Sequence, residues 1–318
     1  MSNSLEMRGV VKCYGRRRAL DGLDLDVQAG SIFGLIGSNG AGKTTAMAVS
    51  VGLLRTAAGS VNLLGEGPFR PERHRGRVAL LPQDSRLPLH ARVGELLRFY
   101  GRLQGLSEQD AARSAAAMLD WVHLSDRSGN AVRTLSHGML RRLNIAQAFL
   151  GSPELVLLDE PLSGLDPREA ARIRDYLKAR SGGQTIVISS HNLRELEALC
   201  DRVAFIEKGR LVRTDAMEKV VRRHHRLTYH VVAGGELPVA ALSAALPGAT
   251  FEVGDEGGRV TVVFDDTQIR TDEVNAAVLP LLLKAQVGVL EIRRGSDLES
   301  EYLAITKPSP VPGTESPR

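Results

Sequence analysis

Cysteine is nearly absent. The 318 residues hold two, Cys13 and Cys200, with no CxxC pair and no Cys/His spacing that would hold a metal. That argues against a disulfide framework or a zinc module and makes a reduced, cytosolic chain the default. Long apolar runs are also lacking. No stretch of about 18 apolar residues occurs, so no segment reads as spanning a bilayer. Met1 to Lys12 has no signal-peptide core. Any work at a membrane then requires a second chain to supply the span. Charge of one sign is lacking too: 41 Lys and Arg face 37 Asp and Glu, a net +4. That excess is too weak to argue for nucleic acid and reads as ordinary surface charge. Hydrophobic residues at 43% and charged residues at 25% match a common globular protein, and the length suits two domains.

Glycine, by contrast, is plentiful, and one cluster of it is ordered. Gly37-Ser38-Asn39-Gly40-Ala41-Gly42-Lys43-Thr44-Thr45 fits the pattern G-x-x-x-x-G-K-[ST]. Three glycines let the backbone turn tightly enough for its N–H groups to surround phosphate oxygens. Lys43 would place a cation on the β- and γ-phosphates, and the Thr44 hydroxyl would reach Mg²⁺. The flanks agree. Ser31 to Ile36 reads as a buried strand and Thr44 to Leu54 as a helix aiming its positive N-terminus at the anion.

Leu5 to Tyr14 and Leu23 to Val27 alternate as half-buried strands do. Arg16-Arg17-Arg18 between them reads as a solvated turn. Gly59 to Gly65 and Val78 to Leu81 are short strands, the second running into Pro82-Gln83. From Val93 the period becomes helical, with Val93, Leu96, Leu97, Tyr100 and Leu103 on one face. Ser107 with Asp110 three residues on opens another helix. Asp84 to Leu150 is thus a mostly helical insert, and it contains Leu135-Ser136-His137-Gly138-Met139 ahead of a third helix. Leu155 to Leu158 is a buried strand ending in Asp159-Glu160. Carboxylates at a buried tip need a cation beside them, which Mg²⁺ opposite the P-loop would provide. Ser163 to Pro167 is a turn before a helix. Thr185 to Ser190 is a strand with His191 at its tip, and Val203 to Arg213 is a hairpin across Lys208-Gly209. Gln83, Asp159 and His191 all follow strands, at the sheet edge where open α/β folds bind ligands.

The character changes near Ala216. Met217 to Arg226 reads as a basic linker helix. Strand, helix, two strands, helix and strand then follow from Leu227 to Arg293, with Asp297 to Ile305 as a closing helix. This is a ferredoxin-like order. His224, His225 and His230 have no spacing that enforces a metal site. Residues 307–318 are rich in proline and serine and read as disordered. The expected divisions are 1–216, holding the helical insert at about 84–150, then 217–306, then the tail.

Together these pieces resemble the ATP-binding cassette (ABC) ATPase family over residues 5 to about 215. Tyr14 looks like the aromatic residue that stacks on adenine, and residues 37–44 look like Walker A. Gln83 is similar to the Q-loop glutamine near Mg²⁺, and Leu135 to Met139 to the signature motif. Asp159 matches the Walker B aspartate that holds Mg²⁺, and Glu160 the glutamate that polarises attacking water. Ser163 to Asp166 resembles the D-loop, and His191 the switch histidine. Ser38 stands where the family usually has proline, and the signature is LSHGM where LSGGQ is usual; Ser136 and Gly138 are retained.

The resemblance implies a P-loop NTPase fold, an α/β core sheet with an antiparallel subdomain and the helical insert. It implies ATP and Mg²⁺ as ligands and catalysis by Lys43, Glu160 and His191. It implies that Ser136 and Gly138 act in trans, so that two copies form a homodimer around two ATP. The tail domain resembles that of ATPase subunits for drug, antibiotic, lipid or polysaccharide export. The implied partner is a polytopic membrane permease docking near Gln83 and the insert, which puts the chain on the cytoplasmic face of the cell membrane. Nucleic acid is not an expected partner. Two rivals stay open. A non-transport cassette of translation or DNA repair would carry two cassettes or a long coiled coil, and neither is present. Some relatives with this tail serve copper-enzyme maturation.

Overall fold

The computed structural model describes residues 2–191, 193–218, 225–232, 237–254, 258–265 and 268–295. The chain divides into two compact units, Met1–Asp215 and Ala216–Arg318.

The first unit opens on an antiparallel hairpin, β1 (Asn3–Tyr14) and β2 (Arg17–Gln28). The turn is only Gly15-Arg16, so Arg17 and Arg18 of the arginine triplet belong to a strand. Tyr14 pairs directly with Arg17. Next come β3 (Ile32–Ile36), the P-loop, and α1 (Lys43–Ser50). This helix is shorter than the sequence predicts. It stops before Gly52, whose φ of 72° lies in the left-handed region where a helix ends. β4 (Ala58–Leu63) returns to pair with β1, completing a three-stranded sheet of order β2-β1-β4.

After the single turn α2 (Pro71–His74) and the short β5 (Val78–Leu81) comes the helical insert. It holds α3 (Val93–Leu103), α4 (Glu108–Trp121) and α5 (His137–Ala148). α4 begins where predicted: the Ser107 hydroxyl accepts from the Asp110 N–H at 3.1 Å. α5 begins just after Ser136, the N-cap that the sequence offers, whose hydroxyl accepts from the Met139 N–H at 3.3 Å. The expected apolar face of α3 is core at Val93, Leu96 and Leu97, but Leu103 in the last turn is exposed, as is Phe99, because the face runs out of the core there.

The remaining elements are β6 (Leu155–Asp159), α6 (Pro167–Ala179), β7 (Thr185–Ser190), α7 (Leu193–Glu197), β8 (Arg202–Glu207) and β9 (Arg210–Ala216). The large sheet has the order β5-β6-β7-β3-β8-β9, and β5 to β8 pair in parallel. Every residue of β3, β6 and β7 is buried. That is why these strands read as unbroken apolar runs: a parallel sheet is covered on both faces.

The second unit holds β10 (His225–Val231), α8 (Val239–Ala245), β11 (Thr250–Val253), β12 (Arg259–Phe264), α9 (Thr271–Lys284) and β13 (Val289–Gly295). Its antiparallel sheet has the order β11-β12-β10-β13, that of a ferredoxin-like fold. Leu227, Tyr229, Val260, Val262, Val274 and Val278 fill its core. The Tyr229 hydroxyl meets its buried hydrogen-bonding need at Asn275 Oδ1, 2.7 Å away. The linker helix expected to reach Arg226 does not do so, because His225 and Arg226 already pair with Phe264 and Val263 in β10. The expected closing helix at 297–305 and the tail lie outside the described residues.

Candidate nucleotide site

The P-loop is tied to the β8–β9 turn, which β2 holds in place. The β8–β9 turn places the Gly209 N–H on the Ala41 carbonyl at 2.8 Å, and the Asp21 N–H of β2 on the Gly209 carbonyl at 2.9 Å. Two P-loop glycines are forced by this. A Cβ at Gly37 would sit 2.5 Å from the Ile206 carbonyl oxygen. One at Gly42 would sit 2.8 Å from that of Ala19, and Gly42 has φ 114° besides. Ser38 accepts from the Ala41 N–H at 3.1 Å, so the serine in place of the usual proline leaves the loop's internal bond intact.

Four strand tips open on one cleft of about 660 Å³. β3 contributes Asn39, Gly40, Gly42, Lys43, Thr44 and Thr45 through its loop, β5 contributes Gln83, β6 Glu160 and β7 His191. The hairpin adds Tyr14 and Arg17, and Ser163 completes the wall. Gly37, Ser38 and Ala41 belong to the loop without lining the cleft, and Asp159 lies just behind it. Ser136 and Gly138 are not among its lining residues; they open α5. Asp166 is also elsewhere, capping α6 by accepting from the Arg168 and Glu169 N–H groups.

Lys43 is buried, and its ammonium donates to the Gly37 and Ser38 carbonyls at 2.7 and 3.2 Å. Burial lowers its pKa, against the pull of the Glu160 and Asp159 carboxylates. Asp159 is equally buried. Ser189, its neighbour in the parallel register, donates to Oδ1. Oδ2 has no hydrogen-bond partner among the described residues. Glu160 adopts φ 48°, a left-handed conformation costly for a residue with a Cβ. It is held there by its N–H on Ser189 Oγ at 3.0 Å and by Arg141 on its carbonyl. The Glu160 carboxylate meets His191 Nδ1 at 3.1 Å, with His191 half exposed on the cleft side.

Three residues here escape sequence reasoning. Ser189 is visible only through strand register. Arg17 reaches the P-loop, its Nη2 lying 3.4 Å from the Gly40 carbonyl, because it pairs with Tyr14. Arg141 carries a faint signal, a charge on a helix face whose next turns, Ile145 and Ala148, are buried.

A family profile described as ABC transporter matches residues 20–163. The Nod factor export ATP-binding protein I of Cupriavidus pinatubonensis is 35% identical over 309 residues, covering 95% of this chain and 90% of that protein. The chain belongs to the ABC transporter family. As an ABC cassette it is an ATP-binding, ATP-hydrolysing subunit with a P-loop NTPase fold. The namesake protein from Cupriavidus metallidurans is 42% identical over 214 residues, 67% of this chain and 71% of that one. The daunorubicin/doxorubicin resistance ATP-binding protein DrrA of Streptomyces peucetius is 37% identical over 213 residues, 66% and 64% of the two chains. Among solved structures, an ATP-binding subunit of an ABC transporter matches with TM-score 0.63 and 28% identity, over 69% of this cassette chain and 92% of that one. A dimeric post-hydrolysis cassette bound to ADP and Pi matches with TM-score 0.62 at 20% identity, over 67% and 98%, a likeness of fold.

Proposed function

We propose that the strand-tip cleft is the ATP site, and that two copies of the chain close around two ATP to drive an export permease. The observation that carries the reading is the convergence of Lys43, Glu160 and His191 on one P-loop cleft. The export relative that spans nearly the whole chain supports the direction of transport.

In this reading adenine stacks on Tyr14, which is half exposed at the cleft mouth. The P-loop N–H groups and Lys43 take the phosphates. The residues also fit Mg²⁺. Asp159 Oδ2 is buried without a hydrogen-bond partner among the described residues, and Thr44 and Gln83 line the adjoining wall. No group of three His, Cys, Asp or Glu forms a metal site among the described residues. Thr44, Gln83 and Asp159 would therefore share the ion with the nucleotide's own oxygens, as Mg²⁺ prefers. When bound, it would neutralise charge on the β- and γ-phosphates. Water then attacks the γ-phosphorus in line as the bond to the ADP oxygen breaks. Glu160 orients the water, and His191 steadies Glu160 from the open side.

Ser136 and Gly138 do not line their own cleft. In this reading the N-terminus of α5 acts on the partner's γ-phosphate, and the D-loop with Asp166 lies at the same interface. Mixing a Lys43→Ala chain with a Ser136→Arg chain tests this. One site then bears both lesions and the other neither. Partial recovery of ATPase activity is expected, together with crosslinking of Ser136 to the opposite P-loop. A crosslink formed only within one chain would count against the arrangement.

No helix among the described residues is long and apolar enough to cross a membrane. The chain acts peripherally, at the cytoplasmic face, on a polytopic permease docked beside Gln83 and the insert. Leu89 and Phe99, 55% and 56% exposed, are the probes, whereas Val93 is buried and unsuited to the test. Leu89→Asp with Phe99→Asp should preserve ATP hydrolysis yet lose the membrane protein that co-purifies from detergent extracts. Wild-type chain that instead brings down ribosomes or DNA would refute the transport reading.

A further inference from the structure

Arg141 occupies a position where α5 calls for an apolar residue. Its side chain points inward with those of Asn144, Ile145 and Ala148, and the residue is 8% exposed. Every hydrogen bond it makes among the described residues goes to a main-chain carbonyl. Nε donates to Pro161 at 3.0 Å and Nη1 to Gln83 at 3.1 Å. Nη2 donates to Asp159 at 3.3 Å and to Glu160. These four acceptors come from two strand tips, that of β5 and that of β6. The helix providing the donor opens with Ser136 and Gly138.

A buried guanidinium with no ion-pair partner among the described residues is an expensive way to fill space, and apolar side chains of similar volume fill it better. Burial also lowers its pKa, with Asp159, Glu160 and Asp84 opposing. What an apolar side chain cannot supply is direction. The planar fork fixes several donors at set angles, which a lysine cannot match. Here the fork grips the carbonyl of the one strand-tip carboxylate whose φ is left-handed. It grips the Gln83 carbonyl through the same group.

We propose that Arg141 is a positioning residue: it ties the signature helix to Gln83 and Glu160, so that a movement of α5 re-aims both. The proposal rests on the ATPase reading of the cleft. Arg141 does not line the nucleotide cleft and acts through Glu160. A small rotation of α5 therefore displaces the Glu160 carboxylate relative to the γ-phosphate. Gln83, beside the proposed permease contact, moves with it. Hydrolysis in the closed dimer and the state of the permease become linked through one side chain.

The test uses the full chain with Arg141→Gln and Arg141→Lys. Both should bind a fluorescent ATP analogue about as tightly as wild type, because the P-loop is unchanged. For Arg141→Gln, kcat should fall about 100-fold with KM for ATP unchanged, the cost of misplacing a reacting group by about an ångström. Arg141→Lys keeps the charge and loses the fork, so it should regain only a small part of the rate. Wild-type kcat in Arg141→Gln overturns the proposal. So does a parallel loss of nucleotide affinity and kcat in folded protein, since that is the behaviour of a purely structural residue. If Arg141→Gln does not fold, Arg141→Lys decides: folded and fully active, it overturns the proposal; folded and slow in kcat alone, it supports it. A wild-type chain that hydrolyses no ATP would sink the ATPase reading itself, and the proposal with it.

Discussion

Lys43→Ala stops ATP hydrolysis, with kcat expected to drop by about 10³-fold, and weakens ATP binding, read by phosphate release and by a fluorescent nucleotide. Lys43 is the only lysine or arginine in the P-loop. In the structure it is turned onto the Gly37 and Ser38 carbonyls. Phosphate oxygens are stronger acceptors than these carbonyls, and taking them up places the ammonium where negative charge develops. Lys43→Met separates this loss from unfolding. Burial lowers the Lys43 pKa, so the folded state binds its proton less well than the unfolded chain does. Holding the charged form therefore costs stability below the folded-state pKa, and stability rises as pH climbs from that value to the unfolded one. Lys43→Met removes this cost and this slope. It should unfold at the same denaturant concentration as wild type or higher while remaining inactive. A variant that is both inactive and markedly less stable would assign Lys43 a structural role.

Glu160→Gln should lower hydrolysis by about 10²- to 10³-fold while retaining ATP, and should accumulate as a dimer on sizing with ATP and Mg²⁺. The amide is isosteric. Its main chain keeps the bonds to Ser189 and Arg141 that hold φ at 48°, so the geometry survives. What is lost is the negative charge that meets His191 and that, in the proposed mechanism, orients water. Removing that charge also relieves repulsion against the phosphates, which favours the closed state. In the proposed sandwich ATP bridges both chains and hydrolysis ends the bridging, so a chain that cannot hydrolyse would stay closed. A monomeric Glu160→Gln protein at saturating ATP would contradict the sandwich.

The parts of the site that could be read in the residues share one physical cause. Gly37 and Gly42 are glycine because a Cβ would strike the Ile206 and Ala19 carbonyls. β3, β6 and β7 are apolar throughout because both faces are covered. In such places the backbone dictates the residue, and the residue reports the backbone. Arg141 stayed hidden because its acceptors are carbonyls, which every residue has, so no partner type marks them. Arg17 is hidden in the sequence because its role depends on a turn that ends two residues before the arginine run does. The linker helix does not extend to His225 and Arg226, because pairing with Phe264 and Val263 claims them for a strand although basic residues suit a helix. Here tertiary pairing overrides local propensity.

The strand order has a consequence for synthesis. β3, which launches the P-loop, is made early, yet its two neighbours in the sheet are β7 and β8, Thr185–Ser190 and Arg202–Glu207. The turn that clamps Ala41 follows at Gly209. A ribosome that has finished the P-loop must therefore travel on the order of ten seconds further before the strands that hold it exist. During that interval the apolar β3 is without its sheet partners. A chain released before Gly209 has neither the turn nor a finished loop, so nucleotide capture becomes a report that the whole first unit has been made.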